Sequence, residues 1–155
     1  MKKFVLAVIG IALFAMTGVA FAAQVTNNIQ VLASVADTCR ITTEATNIDF
    51  GSYDPTNTSA DIDGSSSISF RCTKNTTYWT YITRTGNMIN GSNNLPYQLY
   101  TDAGRSTAWN SAKTGGGTVS PNNGIRQLDI YGRIAPLEDV PAGNYFENVT
   151  VTIEY

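Results

Sequence analysis

Few residues of this chain have side chains suited to catalysis or metal binding. The 155 residues include no histidine and only two cysteines, Cys39 and Cys72. Without histidine, neither a Ser-His-Asp nor a Cys-His arrangement can form, and His-bearing metal sites are excluded. Two cysteines are too few for a Cys-only zinc site. The sequence therefore predicts a protein that is not an enzyme and that holds no metal or cofactor.

The two cysteines are interpreted as one disulfide. A pair of cysteines in an exported chain is typical of such a bond. Closing the chain between Cys39 and Cys72 would stabilise the fold by roughly 3–4 kcal/mol in the chain-entropy model. The alternative is a catalytic thiol, which would need a base that the sequence does not offer.

Three other groups of residues have chemical alternatives. The loop Asp61-Ile62-Asp63-Gly64 could bind calcium weakly, although such a pair is more often a solvated turn. Gly115-Gly116-Gly117 lacks the lysine of a phosphate-binding loop and is interpreted as flexible. Aromatic side chains could form a platform for sugars, but we favour a role in the core or in anchoring loops. These aromatic residues are Trp79, Tyr100 and Trp109.

The N-terminus has the pattern of an export signal. Lys2 and Lys3 precede an apolar run over residues 4–19, and Ala20-Phe21-Ala22 fits a cleavage site. We predict cleavage after Ala22; a membrane anchor is the alternative, but the run is shorter than the ~20 residues of a spanning helix. The net charge of −2 becomes more negative without the two lysines, which disfavours nucleic acid as a partner.

The last eleven residues, 145–155, have the alternation of a β-strand with one buried face. One face carries Val149, Val151, Ile153 and Tyr155, and the other carries Asn148, Thr150, Thr152 and Glu154. An unpaired apolar edge is a template for another chain. Because no returning strand follows, we expect the partner to be a strand from a different copy of this protein.

Residues 23–35 form a second strand-like stretch at the other end. Its odd positions are Val25, Asn27, Ile29, Val31, Ala33 and Val35, and its even positions are polar except for Leu32. Taken alone, this stretch could equally be an ordinary first strand or a frayed terminus. Between the two ends, short alternating stretches separated by turn residues predict six or seven strands, a loop over residues 56–66, and no helix in the exported domain.

Several motifs, in this order and spacing, resemble those of the spore coat U family, which includes subunits of archaic chaperone–usher pili. After Cys39 come 47–53 (NIDFGSY) and 68–73 (ISFRCT), and later 95–102 (LPYQLYTD), 130–134 (IYGRI) and 141–145 (PAGNY). Glu147-Asn148 departs from the Asp-Thr that is more common in the family.

The resemblance implies an all-β, incomplete immunoglobulin-like sandwich that is completed by donor-strand exchange. Its parts would be a signal peptide (1–22), an N-terminal donor-strand extension (23–35) and a pilin domain (36–155). Cys39 and Cys72 match the family's disulfide. The donor residues would be Val25, Asn27, Ile29, Val31 and Ala33, and the acceptor groove edge would be Val149, Val151, Ile153 and Tyr155.

The implied function is that of a structural pilus subunit that supports surface attachment and biofilm formation. Its partners would be other pilus subunits, a periplasmic chaperone and an outer-membrane usher, and the chain would pass through the periplasm to the cell surface. The alternative is a secreted, monomeric spore-coat-like or glycan-binding module. The register of the donor strand is left open, because it could shift by two residues.

Overall fold

In a computed structural model of the protein, residues 22–58 and 62–155 are described. Within these ranges the chain forms nine β-strands and no helix, and therefore no helix that could cross a membrane. The predicted signal peptide lies outside the described residues, apart from Ala22. The strands are β1 (Cys39–Thr43), β2 (Ile62–Cys72), β3 (Thr77–Thr83), β4 (Asn87–Asn90), β5 (Asn93–Pro96), β6 (Gln98–Tyr100), β7 (Thr118–Val119), β8 (Arg126–Ile134) and β9 (Thr150–Glu154).

The strands form two main antiparallel sheets and a hairpin. One sheet has the order β1-β2-β8-β6, the other has the order β7-β3-β9, and β4 pairs with β5. The hairpin turns at Gly91 and Ser92, where Gly91 has a φ of 60°. This left-handed conformation favours glycine.

The two main sheets pack face to face. Leu99 of β6 and Ile130 of β8 belong to the same buried cluster as Ile82 of β3. A second cluster joins Phe70 of β2 to Tyr78 of β3, with ring centroids 5.1 Å apart. The prediction of an all-β sandwich of the immunoglobulin-like class is therefore confirmed.

Strand β2 is longer than the sequence predicts. Residues 62–66, which fall in the predicted loop over 56–66, pair with β8, so that part of the loop prediction is wrong. Small residues suit this place because another segment crosses the sheet here. A Cβ atom added at Gly132 would lie 2.6 Å from the Phe50 ring, and one at Gly64 would lie 2.7 Å from Ile48. The glycines and serines of this region therefore reflect close packing rather than a loop.

The predicted disulfide is present between Cys39 and Cys72. These residues are directly opposite each other where β1 pairs with β2, and Cys72 is buried. The bond therefore links the edge strand β1 to its neighbour β2 within one sheet. It lies at the end of the sandwich that contains Phe70 and Tyr78.

The long segment between β6 and β8 is anchored by Trp109. Its backbone amide donates to the carbonyl of Leu99 at 2.9 Å, and its indole donates to the carbonyl of Asp129 at 3.3 Å. The side chain is buried in the main core cluster. These contacts hold the part of the segment around Trp109 against the sandwich.

Candidate acceptor groove

The C-terminal strand has a partner on one edge only. Strand β9 pairs with β3, from Trp79 opposite Glu154 to Thr83 opposite Thr150. Among residues 22–58 and 62–155, no strand pairs with its other edge. The continuous strand predicted over 145–155 is shorter in the structure, since β9 begins at Thr150 and only Phe146 forms a further bridge.

A groove of about 480 Å³ opens beside this free edge. One wall is formed by residues 45–50, and the other is formed by residues 145–149 together with Val151. Between the walls, apolar side chains of both sheets and of the β4–β5 hairpin form the floor. These floor residues are Ile82, Met88, Leu99 and Ile130. The groove thus lies over part of the main core, whose residues Ile82, Leu99 and Ile130 are themselves buried.

The four residues predicted for the groove edge do not all have the same surroundings. Val149 and Val151 line the groove, are half-buried, and pack against the main core cluster. Ile153 packs against the second cluster, beside Phe70 and the disulfide. Tyr155 is 56% exposed and lies beyond the end of β9. The valines therefore present the apolar surface of this wall.

Glu147 holds the start of this wall in place, and sequence reasoning noted it only as a departure from the family pattern. Its carboxylate accepts hydrogen bonds from the amides of Thr85 and Gly86 and, at 2.7 Å, from the hydroxyl of Tyr97. Burial alone would raise the pKa of Glu147, but these hydrogen bonds outweigh it and the pKa lies below its ordinary value. Burial and the neighbouring carboxylate raise the pKa of Tyr97. Glu147 is therefore charged at neutral pH and joins the wall to the turn after β3.

The opposite wall also depends on contacts that the sequence does not reveal. The hydroxyl of Ser66 on β2 donates to the backbone carbonyl of Thr46 at 2.7 Å. Farther along, Ile48 and Phe50 pack over the glycines of β2 and β8, and Phe50 lies 6.1 Å from Tyr97 between ring centroids. Residues 45–50 are therefore held against the first sheet although they belong to no strand.

The predicted donor residues lie in a segment without secondary structure. Residues 22–38 form no strand, and Val25, Ile29 and Val31 are 96%, 82% and 90% exposed. Asn27 and Ala33 are exposed as well. The structure divides into two units between Ser34 and Val35, so these residues belong to a unit of their own. The large apolar side chains of the predicted donor residues are thus exposed to solvent.

Trp79, Trp109 and Asp63, which suggested other chemistry, make structural contacts, whereas Asp61 lies outside the described residues. Lys113 Nζ lies 3.6 Å from the centroid of the Trp79 ring, and the Trp79 indole donates to the carbonyl of Gly115. Trp109 is buried, so no open aromatic platform forms from the two tryptophans. Asp63 pairs with Arg105 and Arg133 at 2.9 and 3.0 Å. In the described part of the chain, no cluster of side chains could hold a metal ion.

Comparison with known proteins identifies the family. The model of the Spore Coat Protein U domain matches residues 25–152. The chain belongs to the spore coat protein U domain family. This match includes both the exposed N-terminal segment and most of β9, and it confirms the resemblance found in the sequence.

One solved structure also resembles this spore coat U domain. It is described as the CsuC–CsuE chaperone–tip adhesion subunit pre-assembly complex from the archaic chaperone–usher Csu pili of Acinetobacter baumannii. The identity is 22% and the TM-score is 0.49, over 78% of this chain and 40% of that chain. The protein thus spans less than half of the length of that chain. No curated protein sequence matches the spore coat U domain described here.

Proposed function

We propose that this protein is a structural subunit of an archaic chaperone–usher pilus, and that it polymerises by donor-strand complementation. The observation that carries the proposal is that one chain contains both a groove that lacks a strand and an exposed segment that could supply one. Within the described residues, the sandwich has a groove with an apolar floor beside a strand edge that pairs with no other strand, and the chain has an exposed segment with alternating apolar side chains. A strand formed by the exposed segment would pair with the free edge and cover the groove.

The donor would be residues 23–35, with Val25, Ile29 and Val31 facing the groove floor. Because these side chains are nearly fully exposed, each would gain ~1.5–3 kcal/mol on burial. Backbone hydrogen bonds to the free edge would add to this gain. A full-length strand pairing dissociates slowly, so a fibre would persist kinetically.

The donor and the groove would come from different copies. A segment of one copy that fills the groove of the next is a head-to-tail contact, which need not close into a ring and so produces a fibre. Before assembly, the exposed groove and donor would be an aggregation hazard. A periplasmic chaperone would cover the groove at this stage, and an outer-membrane usher would catalyse the exchange.

The proposed location is the cell surface, after export through the periplasm. The fibre would support surface attachment and biofilm formation. The domain division would be 1–22, 23–35 and 36–155, with the second part as the donor. The tryptophans give no support to a monomeric glycan-binding module, because one is buried and the other is covered by Lys113.

Deletion of residues 23–32 tests the proposal. The wild-type chain, secreted with its chaperone and usher, is expected to give a ladder of bands on gels run without boiling. The deletion variant is expected to give no ladder but to yield a folded subunit with the Cys39–Cys72 disulfide intact. The matched control replaces Thr26, Asn28 and Gln30 with alanine and should retain the ladder. A wild-type chain that runs as one monomeric band, or a ladder that survives the deletion, would overturn the proposal.

A further inference from the structure

The N-terminal segment carries one apolar residue on its otherwise polar face. Leu32 shares this face with Thr26, Asn28, Gln30 and Ser34. If the opposite face enters a groove, Leu32 points away from the groove floor. Leu32 is 83% exposed in the structure. Burial in the groove therefore gives no account of why a leucine stands at this position.

The wall of the groove carries a similar residue. Phe146 is 68% exposed. The side chain of the next residue, Glu147, points inward to the hydroxyl of Tyr97, and successive side chains of an extended segment point to opposite faces. Phe146 borders the groove, but unlike Tyr145 and Val149 it does not pack against the core. Its side chain therefore lies on the outer face, where the positions that follow are Asn148, Thr150 and later polar residues. It is the one large apolar side chain on the outer face of this segment.

Backbone hydrogen bonds define how Phe146 meets its neighbours. Its carbonyl accepts from the amide of Ile89 at 2.9 Å, and its amide donates to the carbonyl of Ile89 at 3.4 Å. Both backbone groups thus point to β4, away from the free edge. A strand added at that edge would meet Phe146 at a non-hydrogen-bonded position, where facing Cα atoms are about 4.5 Å apart and side chains are close.

We propose that Leu32 of one copy lies directly opposite Phe146 of the next copy, and that this contact fixes the register of the donor strand. The inference rests on the proposed function, since it concerns the same groove. The two residues and Ile89, which is also exposed, would form one apolar row across three antiparallel segments on the outer face. The occupant of the surface around Phe146 is thus a second copy of this chain.

This register also places apolar residues opposite apolar ones, and polar residues opposite polar ones, at further positions along the donor strand. With Leu32 opposite Phe146 in an antiparallel pairing, Ile29 lies opposite Val149 and Val25 lies opposite Ile153. On the outer face, polar residues meet polar residues. These pairs are Gln30 with Asn148, Asn28 with Thr150, and Thr26 with Thr152.

The inner face alone does not fix the register. A shift by two residues keeps every side chain on the same face, and it would place Val31 opposite Val149, which is also an apolar pair. On the outer face, however, the shifted register places Leu32 beside Asn148. It also places Phe146 beside Ser34, so two large apolar side chains would lack an apolar partner. The outer face therefore discriminates between registers that the groove accepts equally.

Disulfide crosslinking in assembled fibres tests the register. The pair Leu32→Cys and Phe146→Cys, in one chain, is expected to link neighbouring subunits, because facing Cα atoms at such a position are within disulfide range. The ladder would then resist boiling without reductant and collapse with it. The matched control pairs Ser34→Cys with Phe146→Cys and reports the register shifted by two residues. Each single cysteine variant controls for mispairing with the native disulfide.

The outcomes separate this inference from the proposed function. Efficient crosslinking of Leu32→Cys with Phe146→Cys, and little of the shifted pair, supports the inference. If a heat-labile ladder forms but the shifted pair crosslinks better, or neither pair crosslinks, the register is wrong and the pilus function stands. If no ladder forms even for the wild-type chain, the proposed function is wrong, and the inference about the register is wrong with it.

A double-mutant cycle provides a second readout. Serine replacements at Leu32 and at Phe146 leave the groove floor intact, and both side chains are exposed in the structure. Each single change is expected to speed ladder dissociation by about 2- to 5-fold, because it removes the energy of one cross-strand pair. The second change should then add little to the first. Fully additive effects would show that the two side chains do not touch.

Discussion

Replacement of Ile29 by alanine should weaken the contact between subunits without lowering the stability of the folded subunit. Ile29 is 82% exposed in the structure, so its truncation removes almost no burial from the folded subunit. Exposed substitutions of this kind usually change the free energy of unfolding by less than about 0.5 kcal/mol. In the proposed fibre, the same side chain is buried in the groove of the next copy. Only the junction between subunits should therefore weaken.

The expected size of the effect follows from the lost burial. Alanine has three fewer carbon atoms, and at about 0.8 kcal/mol per buried CH₂ the junction loses about 2 kcal/mol. At 1.4 kcal/mol per factor of ten, this loss is about a 30-fold change in the dissociation constant. Because most differences between related complexes lie in dissociation, the variant fibre should release subunits about 30 times faster.

The assay measures release of monomer from purified fibres over time, at a fixed temperature below boiling, on denaturing gels. The matched control is Asn28→Ala, which truncates the neighbouring residue on the polar face. It should leave the release rate within about 2-fold of the wild type, as expected for an exposed surface substitution. Equal effects of the two changes would refute the assignment of faces. A fall in the yield of folded, disulfide-bonded subunit for Ile29→Ala would refute the idea that the residue acts only between copies.

Three further predictions concern the domain itself. Replacement of both cysteines of the disulfide with serine should lower the free energy of unfolding by roughly 3–4 kcal/mol, measured by urea denaturation. Gly132→Ala should cost about 1–3 kcal/mol because its Cβ would lie 2.6 Å from the Phe50 ring, whereas Gly116→Ala, with no atom within 4 Å, should cost much less. Glu147→Gln should destabilise the domain by about 1–3 kcal/mol at pH 7, since its carboxylate accepts several hydrogen bonds. The pKa of Glu147 is lowered in the folded state, so its contribution to the free energy of unfolding is fully present above pH 4.5, the ordinary pKa of the group. The contribution is lost as the pH falls through the lowered pKa. A difference in stability between variant and wild type that does not depend on pH would contradict this account.

The single-edge pairing of β9 links the fold to the proposed assembly. A completed sandwich would have a further strand between β9 and residues 45–50, and among the described residues a groove with an apolar floor lies there instead. The position of Glu147 matters for this reason. By tying the start of the wall to the turn after β3, it holds in place the segment that leads to Val149 and Val151.

The amino-acid sequence by itself determined the all-β class, the disulfide and the two alternating segments at the ends. These features depend on local patterns: a period of two, turn residues, and the pairing of the only two cysteines. The resemblance of ordered motifs to the spore coat U family was also available from the sequence alone, and the family model confirms it.

Other features were decided only by the tertiary structure. The strand at 62–66 consists of small and polar residues with weak local preference, and it forms because β8 lies beside it and Phe50 crosses over the glycines. The role of Glu147 and the position of Phe146 on the outer face likewise depend on residues that are distant in sequence, at 85–97 and at Ile89. The alternation of residues along a strand determines which of its faces is apolar. Which edge of the strand lacks a partner is determined by packing between residues that are distant in sequence.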